Sequence, residues 1–119
     1  MKKELHARWE QLTDKLEVEF GKKPDLQSVL YLIGVDVLGQ GFRKFTKEEK
    51  QDLMHIAVCR LLMFSGYYEH LGNDEEGWPH FKALKKVPGV NLLEQEDLLI
   101  AHALYYFEEI AFIEPEVEQ

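Results

Sequence analysis

Two stretches of this chain are too apolar to lie on a surface, and they constrain everything around them. Within 26–38, Leu26, Val29, Leu30, Ile33 and Val37 make one helical face, while Tyr31, Leu32, Val35 and Leu38 cover most of the other. From Leu53 to Phe64 every residue is apolar except His55, Cys59 and Arg60, and cysteine itself packs as a small hydrophobe. A helix apolar on nearly all sides is either central or half of an interface. Valine and isoleucine also permit a strand over 26–38, but the length of the run and an N-cap at Asp25, directly after Pro24, favour helix to about Leu38. The second stretch begins at Thr46 and Glu49, a T-x-x-E capping box, and predicts a helix from Lys47 to about Phe64. Gly39 to Phe45 is the loop between them.

The flanks read as amphipathic helices. Leu5, Trp9, Leu12, Leu16 and Phe20 recur at spacings of four, three, four and four, a single apolar stripe at 100° per residue. This predicts a helix over Lys3 to Phe20, capped by Gly21 and stopped by Pro24. Asn91 and Glu94 make a second capping-box-like pair. They open a last helix from Leu92 to about Phe112, with Leu92, Leu99, Ala103, Tyr106, Phe107 and Ile110 on one face. Between these, Ser65 to Trp78 reads as irregular. Pro79 suits the first position of a short helix to Lys86, ended by Pro88-Gly89. The expected fold class is therefore all-α, a compact bundle of four main helices plus one short helix. It forms a single domain over 1–113, with 114–119 a frayed acidic tail.

Composition narrows the partners. The chain has 119 residues and a formal net charge of -8, a sign that repels nucleic-acid phosphates and anionic lipid. Arg43, Lys44 and Lys47 are the residues a nucleic acid would use, but neither nucleic acid nor membrane is expected as a partner. One cysteine, Cys59, excludes an internal disulfide. The amino terminus turns polar and amphipathic at once, without the apolar core of a signal peptide. A cytoplasmic location is the expectation.

Three polar residues interrupt the apolar helices: Asp36, His55 and Arg60. Burying a charge without a partner is costly, so buried, hydrogen-bonded groups are expected at these positions. An Asp36–Arg60 pair is disfavoured. In a hairpin about the Gly39–Phe45 loop the two would stand roughly 15 Å apart along the axis at ~1.5 Å per residue. Asp36 is better placed for Arg43 or His55. His55 and Cys59 stand four apart on one helical face, a spacing able to seat a metal. Two further ligands would have to come from His70 and His80, and no Glu-x-x-His pair suggests a di-iron bundle. The pair is thus a weak metal candidate, and no metal or cofactor is called for.

The segment from Gly66 to Phe81 crowds aromatics, two histidines and four acids into a connection that needs only a few residues. Either Tyr67, Tyr68, Trp78 and His80 bind a partner or ligand, or Tyr67, Trp78 and Phe81 fold back as a lid over one end of the bundle. Phe42 and Arg43, in the run Gly41-Phe42-Arg43-Lys44-Phe45, are a second candidate for an acidic partner or a phosphate. The chain has no G-x-x-x-x-G-K, G-x-G-x-x-G, C-x-x-C or G-x-S-x-G motif.

The run Gly39-Gln40-Gly41-Phe42-Arg43-Lys44-Phe45-Thr46-Lys47-Glu48-Glu49-Lys50, followed by Asp52-Leu53-Met54-His55 and later by Asp74-Glu75-Glu76-Gly77-Trp78-Pro79, resembles a family of small uncharacterised all-helical bacterial proteins. The resemblance spans most of the chain. That family brings no activity, cofactor or catalytic residue, so it implies only a bacterial cytosolic setting. The leading expectation is a non-enzymatic interaction or regulatory module, a homodimer or a binder of another protein. The alternative is a small-ligand or metal-binding enzyme using His55, Cys59, His70 and His80.

Overall fold

The computed structural model describes residues 3–87 and 91–114. The chain divides into two compact units, one from Met1–Pro24 with Gly89–Gln119, the other from Asp25–Pro88. Among the described residues the elements are, in order, α1 (Lys3–Phe20), α2 (Leu26–Leu38), α3 (Lys47–Leu62), a 3-10 turn (Met63–Ser65), β1 (Tyr68–Asn73), β2 (Pro79–Ala83) and α4 (Leu92–Glu109). The all-α expectation is therefore wrong: the fold is mostly helical but carries a two-stranded antiparallel sheet. No helix among the described residues is long and apolar enough to cross a membrane.

In the first unit α1 packs on α4. The α1 stripe buries Trp9, Leu12 and Leu16, and also Thr13. Thr13 Oγ1 donates to the Trp9 carbonyl at 3.0 Å, which satisfies the hydroxyl within its own helix. Gly21 ends α1 at φ +82°, a left-handed conformation that glycine adopts without strain, and its N–H reaches the Glu17 carbonyl at 2.7 Å. Asn91 caps α4 by accepting from the Glu94 N–H at 2.9 Å. Ile100, Ala103, Leu104, Tyr106 and Phe107 are buried, whereas Ile110, expected on the same face, is 47% exposed. The helix stops three residues short of Phe112 because Ala111 turns to φ +60°. Apart from Glu114, the tail expected to fray lies outside the described residues.

In the second unit α2 and α3 pack on each other, and both ends of their connection follow local chemistry. Asp25 accepts from the Ser28 N–H at 2.8 Å. Gly39, at φ +74°, closes α2 onto the Val35 carbonyl. Thr46 accepts from the Glu49 N–H at 3.1 Å while Glu49 accepts from the Thr46 N–H at 2.9 Å, the reciprocal capping box read from the sequence. The helices approach closely at Gly34, where an added Cβ would collide with the Leu53 carbonyl. Val29, Ile33, Val35, Leu53, Leu61 and Leu62 are buried, while Leu32 and Val58 are half-buried. The apolar positions of both helices are mostly covered, although each helix keeps an exposed side, with Asp36 on α2 and Asp52 and His55 on α3.

The expected short helix over Pro79–Lys86 is instead strand β2, and much of the expected irregular stretch is β1 with its turn. Tyr68 pairs with Ala83, Glu69 with Lys82 and His70 with Phe81; Gly72 then pairs with His80, so that Leu71 is bulged out of the ladder. The turn decides the outcome. Gly77 at φ +88° follows an Asp74 carbonyl accepting from the Gly77 N–H at 3.0 Å, and the Asp74 N–H donates to the Trp78 carbonyl at 2.9 Å. A three-residue connection ending in a left-handed glycine is a standard hairpin turn. Pro79 stands at the first position of β2, where a missing N–H costs least. Both strands pack on α3, with Pro79 buried and Tyr68 and Phe81 half-buried.

Candidate functional site

The hairpin turn is organised by one carboxylate. Asp74 Oδ1 accepts from the N–H groups of Glu76 and Trp78, both at 3.0 Å. Its Oδ2 accepts from His80 Nε2 at 3.0 Å. The His80 contact, then the Trp78 and Glu76 amides, hold the Asp74 carboxyl below its ordinary range. An aspartate that bonds the backbone two and four residues on builds a turn out of its own side chain.

This turn joins the Gly39–Phe45 loop. Gln40 Nε2 donates to the Glu76 carbonyl at 2.8 Å. Arg43 donates to Gln40 Oε1 at 3.2 Å and to Glu49 Oε2 at 3.4 Å, and its guanidinium lies 4.2 Å from the centre of the Phe45 ring. Phe45 meets Tyr31 and Trp78 edge-on, with centroids 6.3 and 6.5 Å apart. Phe45 belongs to a buried cluster with Val35, Leu38 and Leu53, onto which Tyr31 and Trp78 pack. Arg43 and Trp78, proposed from the sequence as binding residues, are thus parts of the framework that fixes the turn. Trp78 folds back onto that cluster, whereas several of its neighbours are more open.

Those neighbours face outward. Phe42 is 67% exposed and Leu71 60%, and His80 is exposed. Tyr67 and Tyr68 are half-buried, the former with Lys85 Nζ 4.6 Å from its ring centre. His70 donates to Asn73 Oδ1 at 2.9 Å and tilts against Phe81. The cross-strand pair Glu69 and Lys82 adds opposite charges in register, worth a few tenths of a kcal/mol to about 1 kcal/mol in such positions.

The buried polar positions need correction. Asp36 and His55 are exposed, and Arg60 is half-buried, with its guanidinium 4.9 Å from the Phe64 ring centre. These residues interrupt apolar helices, and Val29, Ile33, Leu53 and Ala57 around them are buried, but the cover over those neighbours does not extend to the charged positions, which keep water and avoid the desolvation cost. His55 Nε2 lies 3.6 Å from Cys59 Sγ. Cys59 is buried, and burial pushes its thiol up to about 11. A thiol that stays protonated at neutral pH is neither a nucleophile nor a ready metal ligand. Among the described residues, His55, Cys59, His70 and His80 do not come together, nor do any three His, Cys, Asp or Glu side chains able to hold a metal ion.

The sequence reading passed over His102, which is buried with Nδ1 donating to the Leu98 carbonyl at 2.7 Å. Its position within the apolar run Ile100 to Phe107 was the available signal. It also passed over Asp74 and Gln40, whose signal was the spacing of Asp74 to Gly77 between two short segments. Comparison with protein-family models, with curated proteins and with solved structures finds no match to this chain.

Proposed function

We propose that the chain is a non-enzymatic interaction module of the cytoplasm that self-associates through the outer side of the β1–β2 hairpin. The observation that carries this reading is Leu71. A β-bulge re-aims a side chain and is a designed feature of a sheet rather than a defect. Here it leaves a leucine 60% exposed on a hairpin whose turn is held by six hydrogen bonds from Gln40, Asp74, Glu76, Gly77, Trp78 and His80. A rigid element carrying an exposed apolar side chain loses little entropy when it docks. Contact through α2 receives less support, because Val35 and Leu38 are buried and Leu32 and Val37 half-buried. The enzyme alternative receives none from the dispersed histidines and the protonated Cys59.

Light scattering at micromolar concentration tests the proposal. A dimer mass is expected, returning to the monomer mass of 14.0 kDa in Leu71→Ser with an unchanged far-ultraviolet circular dichroism spectrum. A monomer mass for the unsubstituted chain overturns self-association. A dimer untouched by Leu71→Ser overturns the hairpin as its site.

A further inference from the structure

The end of α4 is a capped turn built around an unexpected residue. The Ala111 N–H donates to the Glu108 carbonyl at 3.0 Å, and the Phe112 N–H reaches back to the Phe107 carbonyl at 2.9 Å. The Phe107 and Phe112 rings meet with centroids 5.5 Å apart. Two such bonds and an apolar contact make the paired cap that usually turns on glycine. Here the turning residue is Ala111, at φ +60°, and no other non-glycine among the described residues has a positive φ. We propose that this cap is a two-state latch, closed while Lys15 of α1 holds it and otherwise open, with α4 running on as helix through Phe112.

Alanine brings the two states close in energy. Its Cβ strains the left-handed conformation, yet in a helix alanine is the best former of all. Nothing in Glu109-Ile110-Ala111-Phe112 breaks a helix, and the apolar periodicity alone carries α4 to Phe112. The turn therefore needs support from outside α4, and α1 supplies it. Lys15 Nζ donates to the Phe112 carbonyl and lies 4.7 Å from the centre of the Phe112 ring. Arg8 adds a longer bond to the Glu114 carbonyl, at 3.4 Å. A charge-assisted hydrogen bond with a cation–π contact is of the size needed to offset one strained alanine. Returning Ala111 to a helical φ redirects everything after it, so the Phe112 carbonyl and ring would leave Lys15.

Strained backbone persists only where its surroundings hold it, and it collects at switching elements. The seating of α1 thus sets the length of α4. Opening takes Phe112 off Phe107, which is 6% exposed in the closed form, and so uncovers apolar surface at the end of the α1–α4 pair. The helices need not separate. Arg8 is also bonded to Glu108, and Glu108 precedes the turn, so this pair joins α1 to α4 in either state. Lys15 is a positioning residue, itself exposed, whose effect on α4 runs through Phe112.

Nuclear magnetic resonance of the full, isotope-labelled chain reads the latch through the carbon shifts of 111–113 and the contacts between the Phe107 and Phe112 rings. The unsubstituted chain is expected to show a non-helical shift at Ala111 and strong ring contacts. Lys15→Gln, at an exposed position, should move 111–113 toward helical shifts and weaken the ring contacts about threefold or more. Ala111→Gly added to Lys15→Gln should restore the turn. Glycine relieves the left-handed strain and weakens the helix together, which shifts the ratio of states about tenfold or more. Lys22→Gln, beyond the end of α1, should leave all these signals in place. Helical shifts through 111–113 in the unsubstituted chain overturn the closed state. A turn that persists in Lys15→Gln overturns the latch and leaves a fixed cap. Loss of the turn without helical shifts, or without rescue by Ala111→Gly, is fraying rather than switching and overturns it as well, as does an equal effect of Lys22→Gln.

Discussion

In the unit built from α2, α3 and the hairpin, each element packs on one close to it in the chain, whereas α1 meets α4 only after the whole of that unit has intervened. The charges differ as well. Nine Asp and Glu face eight Lys and Arg between residues 25 and 88, against the strong acidic excess of the α1–α4 unit. Local closure costs little chain entropy, and distant closure costs more. The α2–α3 unit is therefore the one able to form first, and its formation shortens the effective loop that the α1–α4 pairing must close.

That asymmetry is breakable. The largest effect is expected for Gly34→Ala, whose new Cβ would collide with the Leu53 backbone. No rotamer relieves a clash with a carbonyl, so α2 and α3 must separate, at a loss of about 4 kcal/mol or more. Hydrogen exchange should show lost protection in both units. Retained protection of α4 would show that the α1–α4 unit closes without the other. Next comes Leu12→Ala, at a fully buried position, expected to cost about 2–4 kcal/mol in urea unfolding. Its loss of protection should be confined to α1 and α4, and an equal loss in α2 and α3 would abolish the distinction between the units.

The smallest effect concerns the turn. The Asp74 carboxyl lies below its ordinary value of 3.8, so its contribution to the hairpin is complete above that value. It is lost as the pH falls through the lower folded-state value. Amide shifts of Glu76 and Trp78 followed through acid titration should move with Asp74 while those of α2 stay fixed. An Asp74→Asn variant with an unchanged titration at those amides would remove the carboxylate from its place at the centre of the turn.

The helices were legible because their beginnings are local chemistry: Asp25, the Thr46–Glu49 box and Asn91 act within three residues of themselves. The strands were not. Tyr68–Asn73 and Pro79–Ala83 contain no β-branched residue, and their pairing depends on packing against α3, which propensity does not report. The unusual composition of 66–81 marked the segment that forms most of the hairpin, with Trp78 and His80 in it. Which residues face inward followed from the register, a property of two strands at once. Asp36 and His55 were misplaced for a related reason: an apolar run shows that a helix is covered, but not how far the neighbouring element extends over each of its positions.

A sheet of two strands is a natural seed for runaway stacking, since each free edge invites another strand. Here the bulge at Leu71 interrupts β1, while β2 begins with Pro79 and carries Lys82 in register with Glu69. Neither edge offers an uninterrupted template for another backbone. Copies of this chain meeting at the hairpin would engage through side chains and stop at a closed pair, so crowding in the cell should not drive them into fibres.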